Sequence, residues 1–242
     1  MGATAFHAAR PRRRLGRHRP ADRPRSGVPR PGRRPAARHL TPVARRGPNA
    51  QRHARSRAAL LQAARTAFAR EGFTSTRTGD IVKDTGLTRG ALYHHFTDKL
   101  TLFDAVVEQV AKQVADRVDA AAQQEPTTLK ALHRGCEEWF DAMTDPQLRR
   151  IYLIDGPAVL GWRRWREIDN LHGGGTLRTG VQAVLTERGD RDLDLEPLLA
   201  LLSGALNEAA IWLAESDDQP TARRQLHTSL NALLNRLFPP PT

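Results

Sequence analysis

The stretch TRGALYHH at residues 88–95 brings together side chains of the kinds that contact DNA. It combines the guanidinium of Arg89 and the phenol of Tyr93 with Gly90 and Ala91, which are small enough for a surface to approach closely. Arginine bonds guanine through two hydrogen bonds, and a small apolar side chain contacts the thymine methyl group. Hydroxyl and basic groups bond phosphate oxygens. These residue types at the start of one helix are typical of a helix that enters the major groove.

Two short helices and a tight turn are predicted to position this stretch. An apolar helical turn precedes Gly86, and glycine ends helices because it adopts the left-handed conformation without a steric penalty. Thr88 is then a good N-cap for the second helix. Leu92 and Phe96 lie four residues apart and therefore share the buried face of that helix. The spacing predicts a helix-turn-helix.

The run LTRGALYHHFTDKLTLF, preceded by an amphipathic helix and by DIVKDTG, resembles the DNA-binding domain of the TetR (tetracycline-repressor-like) family of transcriptional regulators. The resemblance covers residues 51–107. It implies an all-helical homodimer that binds a palindromic operator on double-stranded DNA, usually as a repressor, and that responds to a small-molecule effector. The chain departs from many members at Arg89, where lysine is common, and at Leu100, which replaces a common glutamate.

The resemblance also assigns roles to individual residues. Thr88, Tyr93 and Lys99 match family positions that bond phosphate oxygens, although packing is an alternative role for Tyr93. The family positions that face base edges are matched by Arg89, Gly90, Ala91 and His94. Arg89 is the best candidate among them for contact with guanine. Thr76 and Thr78 are both plausible N-caps of the preceding helix, whose positive end could meet a phosphate. The predicted DNA-binding residues are Thr78, Thr88, Arg89, Gly90, Ala91, Tyr93, His94 and Lys99.

Charge is distributed very unevenly along the 242 residues. Residues 1–57 hold 17 arginines, no lysine and one acidic residue, a formal charge of +16. Residues 58–242 hold 21 Lys and Arg against 25 acidic residues, a formal charge of −4. Residues 1–50 also hold eight of the sixteen prolines, a composition that predicts disorder. This tail is either a basic arm that adds affinity for DNA or the product of an incorrectly assigned start.

Helical periodicity continues beyond the motif, so the predicted fold is all-α. A helix over residues 98–122 carries a series of apolar residues four apart and should connect two domains. By resemblance, helices at 195–215 and 221–237 pair with their twins as a four-helix dimer interface. The predicted organisation is a disordered tail over 1–50, a three-helix helix-turn-helix domain over 51–107, and a helical effector-binding and dimerisation domain over 108–242.

Aromatic side chains with few polar groups among them cluster in the middle helices of the C-terminal part, and such a set suits a ligand pocket. Asp155 is the one acid in that apolar stretch and could orient a cationic or hydroxylated effector. The alternative is that these are ordinary core aromatics, with Asp155 as a helix cap. The predicted ligand-binding residues are Trp139, Phe140, Met143, Tyr152, Asp155, Trp162 and Trp165.

Catalytic and metal chemistry have little support in the sequence. His94 and His95 are adjacent on a helix, point about 100° apart and cannot readily chelate one metal ion. The HGGG run at His172 resembles an oxyanion loop of some esterases, but no G-x-S-x-G elbow accompanies it, so a flexible loop is the simplest interpretation. We therefore expect no enzymatic activity, no metal and no cofactor.

Compartment and membrane contact follow from composition. The single cysteine, Cys136, excludes an internal disulfide and fits a reducing cytosol. The sequence contains no run of about 18 apolar residues, so no membrane span is expected. We expect a cytoplasmic protein without membrane contact. The alternative to a sequence-specific regulator is a non-specific nucleic-acid-binding protein driven by the Arg-rich tail.

Overall fold

The computed structural model describes residues 47–83, 85–189 and 193–239. The predicted disordered tail lies outside the described residues except at its end, where the first helix already begins at Pro48. The described residues form eleven α-helices and one π-helix. These are α1 (Pro48–Ser75), α2 (Thr78–Lys83), α3 (Arg89–His95), α4 (Lys99–Ala122), α5 (Thr128–Met143), α6 (Pro146–Arg149), the π-helix (Arg150–Asp155), α7 (Gly156–Leu160), α8 (Trp162–Leu171), α9 (Gly173–Arg188), α10 (Leu195–Glu215) and α11 (Gln219–Leu237).

The first three helices pack around a small apolar core. Phe68 of α1, Ile81 of α2 and Leu92 of α3 are all buried in it. Gly86 has a φ of +68° in the turn between α2 and α3, as the sequence predicts for a residue that ends a helix. The two short helices are therefore held at a defined angle by a left-handed glycine and a shared core.

Helix α4 begins after Asp98, whose carboxylate accepts a hydrogen bond from the backbone N–H of Thr101 at 2.6 Å. That bond is the largest of the effects that lower the pKa of Asp98. Val106, Val110 and Val114 are buried along the helix. Helix α4 packs against α1 and also against α5 and α9. The helix predicted over residues 98–122 is therefore present, to within one residue at its start.

The second half of the described chain, from α4 to α11, departs from the sequence-based expectations at two places. The HGGG run is not a loop, because Gly173 is the first residue of α9. A Cβ at Gly174 would lie 3.2 Å from the carbonyl oxygen of Asp169, so the absence of side chains lets α9 start directly against the end of α8. The predicted helical periodicity also gives no sign of the π-helix over Arg150–Asp155, which directly follows α6.

Helix α10 is the most apolar helix of the second half. By length and composition alone it could cross a membrane, and about a third of its apolar stretch is buried within the protein. Leu201 on α10 is 72% exposed and Trp212 is 48% exposed. Helix α11 adds Leu233, which is 49% exposed. Helices α10 and α11 therefore present large apolar side chains at the surface of a single chain.

Candidate DNA-binding surface and effector cavity

Helix α3 has one buried side and one exposed side. Leu92 and Phe96 are 0% and 3% exposed and fasten the helix to α1 and α2. The Thr88 hydroxyl accepts the backbone N–H of Ala91 at 3.1 Å, which confirms the predicted N-cap. Arg89, Gly90, Tyr93 and His94 are exposed, and Ala91 is half-buried. The helix thus turns its predicted base-contacting residues away from the core.

Two residues predicted to contact phosphate lie next to each other across α2 and α3. The hydroxyl oxygens of Thr78 and Tyr93 are 3.4 Å apart. Tyr93 is 50% exposed, so its ring extends into solvent rather than into the core. Two adjacent hydroxyl groups on one surface can donate hydrogen bonds to the same phosphate.

Arg89 extends from α3 over the start of α2. Its guanidinium occupies the space that a Cβ on Gly79 would need. Glycine at position 79 therefore allows the arginine to lie close to the backbone of α2. Sequence reasoning did not identify Gly79, although a glycine at the second position of a short helix was a visible signal.

Lys99 has a different environment from the other predicted DNA contacts. Its ammonium donates to the backbone oxygens of Phe73 at 2.8 Å and Thr76 at 3.0 Å. It also lies 4.3 Å from the centre of the Phe73 ring. These contacts join the start of α4 to the carbonyl groups at the end of α1. A phosphate would have to compete with them for the same ammonium.

Three imidazoles meet where α1 crosses α3. The ring centres of His53 and His95 are 4.2 Å apart, and those of His53 and His94 are 5.7 Å apart. Burial and then the positive charges of its neighbours lower the pKa of His95. Within the described part of the chain, no group of three or more His, Cys, Asp and Glu side chains could hold a metal ion.

A cavity of about 490 Å³ opens between the helices of the second half. Its walls come from α4, α5, α9 and α10, with Asp169 of α8 at one end. Leu132, Leu177 and Leu206 form much of the apolar lining. Burial raises the pKa of the Cys136 thiol, which also lines the cavity, to about 12. That thiol is therefore protonated at neutral pH and behaves as a small apolar group.

The polar end of the cavity is held by a hydrogen-bonded network. Asp169 is only 4% exposed. Its carboxylate accepts the Tyr152 hydroxyl at 2.7 Å and the Arg166 guanidinium at 3.0 Å. The same guanidinium donates to the Ser203 hydroxyl at 2.8 Å. Asp169 was missed from the sequence, yet it lies four residues after Trp165 and so shares the buried face of α8.

Of the seven predicted ligand-binding residues, Trp139 lies in the cavity wall, where its indole N–H donates to the Leu206 carbonyl at 3.3 Å. Tyr152 and Trp165 are buried behind the wall and bonded to each other, since the Trp165 indole donates to the Tyr152 carbonyl at 2.8 Å. Trp162 is 61% exposed on the outer face of α8. Phe140 and Met143 are core residues of α5 outside the cavity lining.

Asp155 also lies away from the cavity. Its carboxylate accepts the backbone N–H of Phe73 at 3.1 Å and lies 3.9 Å from the Arg150 guanidinium. Arg150 in turn donates to the Arg70 carbonyl at 3.0 Å. Both partners belong to the end of α1, where Gly72 has a φ of +79°. Both ends of the π-helix are therefore hydrogen-bonded to the end of α1, and the Asp155 carboxylate takes part in that contact.

The comparisons with known proteins address both halves. Residues 60–106 match the family described as "Bacterial regulatory proteins, tetR family", and residues 129–237 match "Tetracyclin repressor-like, C-terminal domain". A TetR-family transcriptional regulator from Pectobacterium atrosepticum is 30% identical in sequence, with a TM-score of 0.65. That alignment covers 79% of this chain and 98% of the other. The chain belongs to the TetR family.

Two further comparisons concern the overall fold and the DNA-binding half of the chain. A solved TetR-family regulator from Mesorhizobium loti is 24% identical, with a TM-score of 0.61, and the match covers 77% of this chain and 98% of that one. The transcriptional repressor AcnR of Corynebacterium efficiens is 38% identical over 63 residues, 26% of this chain. The chain spans only 34% of the length of AcnR. As a TetR-family member the protein is an all-α, DNA-binding transcriptional regulator with a helix-turn-helix.

Proposed function

We propose that this TetR-family regulator binds a palindromic operator as a homodimeric repressor in the cytoplasm and that a small molecule in the C-terminal cavity modulates the binding. Residues 51–107 would form the DNA-binding domain, and residues 108–242 would bind the effector and dimerise. The observation that carries the proposal is the exposed side of α3, where Arg89, Tyr93 and His94 face solvent while Leu92 and Phe96 hold the helix to the core.

The DNA contacts divide into positioning and base recognition. Thr78 and Tyr93 present adjacent hydroxyls for one phosphate, and Thr88 caps the helix that carries the base-contacting residues. Arg89 would bond guanine, with Gly90, Ala91 and His94 beside it. A bidentate contact of this kind contributes about 1–3 kcal/mol of discrimination between bases. Lys99 does not belong to either group, because its ammonium is hydrogen-bonded to the carbonyl groups of Phe73 and Thr76 at the end of α1. We therefore assign it a structural role rather than a phosphate contact.

The proposed dimer interface is the apolar face of α10 and α11. Leu201, Trp212 and Leu233 are large and exposed in the single chain. Large contiguous apolar surface is unfavourable in water and marks a protein interface when polar residues surround it. Pairing of these helices with a second copy would cover that face and also separate the two copies of α3 by the spacing of successive major grooves, about 34–36 Å.

The coupling between cavity and DNA would run through the π-helix. At the cavity, Tyr152 of the π-helix bonds Asp169. At its two ends, Arg150 and Asp155 hold the last turn of α1. A ligand that moves Asp169 would therefore move residues bonded to the DNA-binding domain. Couplings between two such sites typically amount to about 1–3 kcal/mol.

The test is selection of bound sequences from random DNA, run with the full-length protein and with a chain beginning at Gly47. We expect both to recover the same palindromic motif. The shorter chain still contains all of α1, which begins at Pro48, and the complete helix-turn-helix that follows it. Binding that requires residues 1–46 and yields no motif would instead support the non-specific nucleic-acid binder. A motif without two-fold symmetry would contradict the dimer.

A further inference from the structure

The cavity wall has a marked charge bias. Among the described residues that line it, three carry carboxylates, namely Asp119, Glu125 and Asp169, and none is Lys, Arg or His. Asp169 is neutralised by Arg166, which lies behind the wall at 3.0 Å. Asp119 belongs to the end of α4, and Glu125 to the turn that follows it. The two carboxylates that are not bonded to Arg166 therefore lie where α4 ends, at the wall of the cavity.

Asp169, at the polar end of the cavity, offers a ligand hydrogen-bond acceptors rather than a positive charge. Asp169 uses one oxygen for Tyr152 and the other for Arg166. A carboxylate has about four acceptor positions, so two bonds leave room for a further donor. Gly173 and Gly174 line the cavity directly beside it, and a Cβ on Gly174 would lie 3.3 Å from the second carboxylate oxygen. The glycines keep the approach to Asp169 free of side chains.

We propose that this cavity accepts a neutral or cationic small molecule with an apolar body and a hydrogen-bond donor directed at Asp169, and that it rejects carboxylates of the same shape. The inference rests on the proposed function, because it names the ligand class of the effector cavity. A bound anion would leave its water without gaining a cation from the wall and would face the charges of Asp119 and Glu125. Such a loss is not repaid by apolar contacts alone.

The test uses three probes with one ring system and different charges: 2-naphthylmethanol, 2-naphthylmethylamine and 2-naphthoate. Their binding to the full-length protein without DNA is measured by calorimetry at neutral pH. We expect the alcohol and the amine to bind at least about tenfold more tightly than the carboxylate, a difference typical of unfavourable charge placement. Equal or tighter binding of 2-naphthoate would overturn the proposal, and so would the failure of all three probes to bind.

Substitution of Asp169 makes the test specific to this cavity. Asp169→Asn leaves the Arg166 guanidinium without its carboxylate, so we expect the amine to lose about tenfold in affinity and the carboxylate to gain. A purely structural role for Asp169 would weaken all probes alike and would overturn the proposal. Because loss of a buried ion pair can prevent folding, Asp119→Asn on the exposed end of α4 gives a second measurement. It should reduce the preference for the amine over the carboxylate.

A matched pair of glycine variants controls for effects on α9. Gly174→Ala fills space beside Asp169, whereas Gly175→Ala meets the Asn170 carbonyl at 3.2 Å and lies outside the cavity lining. We expect only the first to weaken binding of the alcohol, and equal losses would overturn the proposed approach to Asp169. Selection of bound DNA is measured without probes, so failure of the operator proposal and failure of the ligand class are separate results.

Discussion

The DNA-binding surface and the cavity of the second half use polar side chains in opposite ways. On α3, Arg89 and Tyr93 are exposed and lie against the start of α2, not in the protein interior. At the cavity, Asp169 is 4% exposed and bonded to both Tyr152 and Arg166. A DNA duplex supplies its own phosphates and base edges, so the protein needs only a rigid helix to present exposed groups. A cavity must satisfy its buried polar groups before any ligand arrives.

This contrast predicts that the DNA-binding surface depends on a few buried anchors. Leu92→Ala should remove about 2–5 kcal/mol from the stability of the first three helices, because Leu92 is fully buried. Operator binding should be lost while ligand binding in the second half persists. Urea unfolding and calorimetry with 2-naphthylmethanol check the two halves separately. Leu100→Ala, at a 46% exposed position of α4, is the control and should behave as wild type.

Lys99 sharpens the comparison, because it is a charged residue of the DNA-binding half that has a structural role. Lys99→Ala leaves the carbonyl groups of Phe73 and Thr76 without their donor, so the free energy of unfolding should fall by about 1–3 kcal/mol. The salt dependence of DNA binding should not change. Lys112→Ala, which loses only an exposed pair with Asp116, should have little effect on stability. A salt slope reduced by about one would show instead that Lys99 contacts phosphate.

Arg89 represents the opposite case, an exposed side chain with little expected influence on the fold. Arg89→Ala should cost about 1–3 kcal/mol of operator affinity and relax specificity at one base pair. The free energy of unfolding should remain unchanged. Affinities for the selected operator and for single-base variants, measured at fixed salt, check this. Arg163→Ala, an exposed arginine on α8, is the matched control. Equal losses on every DNA sequence would contradict a base-contacting role.

The smallest expected effect concerns the three imidazoles between α1 and α3. The pKa of His95 is lower in the folded protein than in the unfolded chain, so the folded state binds fewer protons between the two values. The free energy of unfolding should therefore fall as pH decreases through the ordinary histidine pKa of about 6.5. His95→Gln should make that decrease smaller. Urea unfolding of both proteins above and below this pH provides the measurement, and identical pH dependence would refute it.

Local sequence signals were sufficient to predict the helix-turn-helix. The positive φ of Gly86, the cap by Thr88 and the burial of Leu92 all follow from residues within one or two turns of each other. The long α4 was predicted within one residue at its start, because Asp98 is a strong N-cap. The HGGG run failed as a loop prediction, since packing of α9 against the end of α8 outweighs the low helix propensity of glycine.

The amino-acid order alone determined the helical class, the DNA-recognition helix and the family, because capping, periodicity and motif are properties of neighbouring residues. Only the tertiary structure decided which polar groups surround the cavity and which form hydrogen bonds with the end of α1. Asp155 and Asp169 are both acidic residues of the second half, yet one bonds Phe73 and the other bonds Tyr152 beside the cavity. Those partners lie 82 and 17 residues away along the chain, and only folding brings them within hydrogen-bond distance.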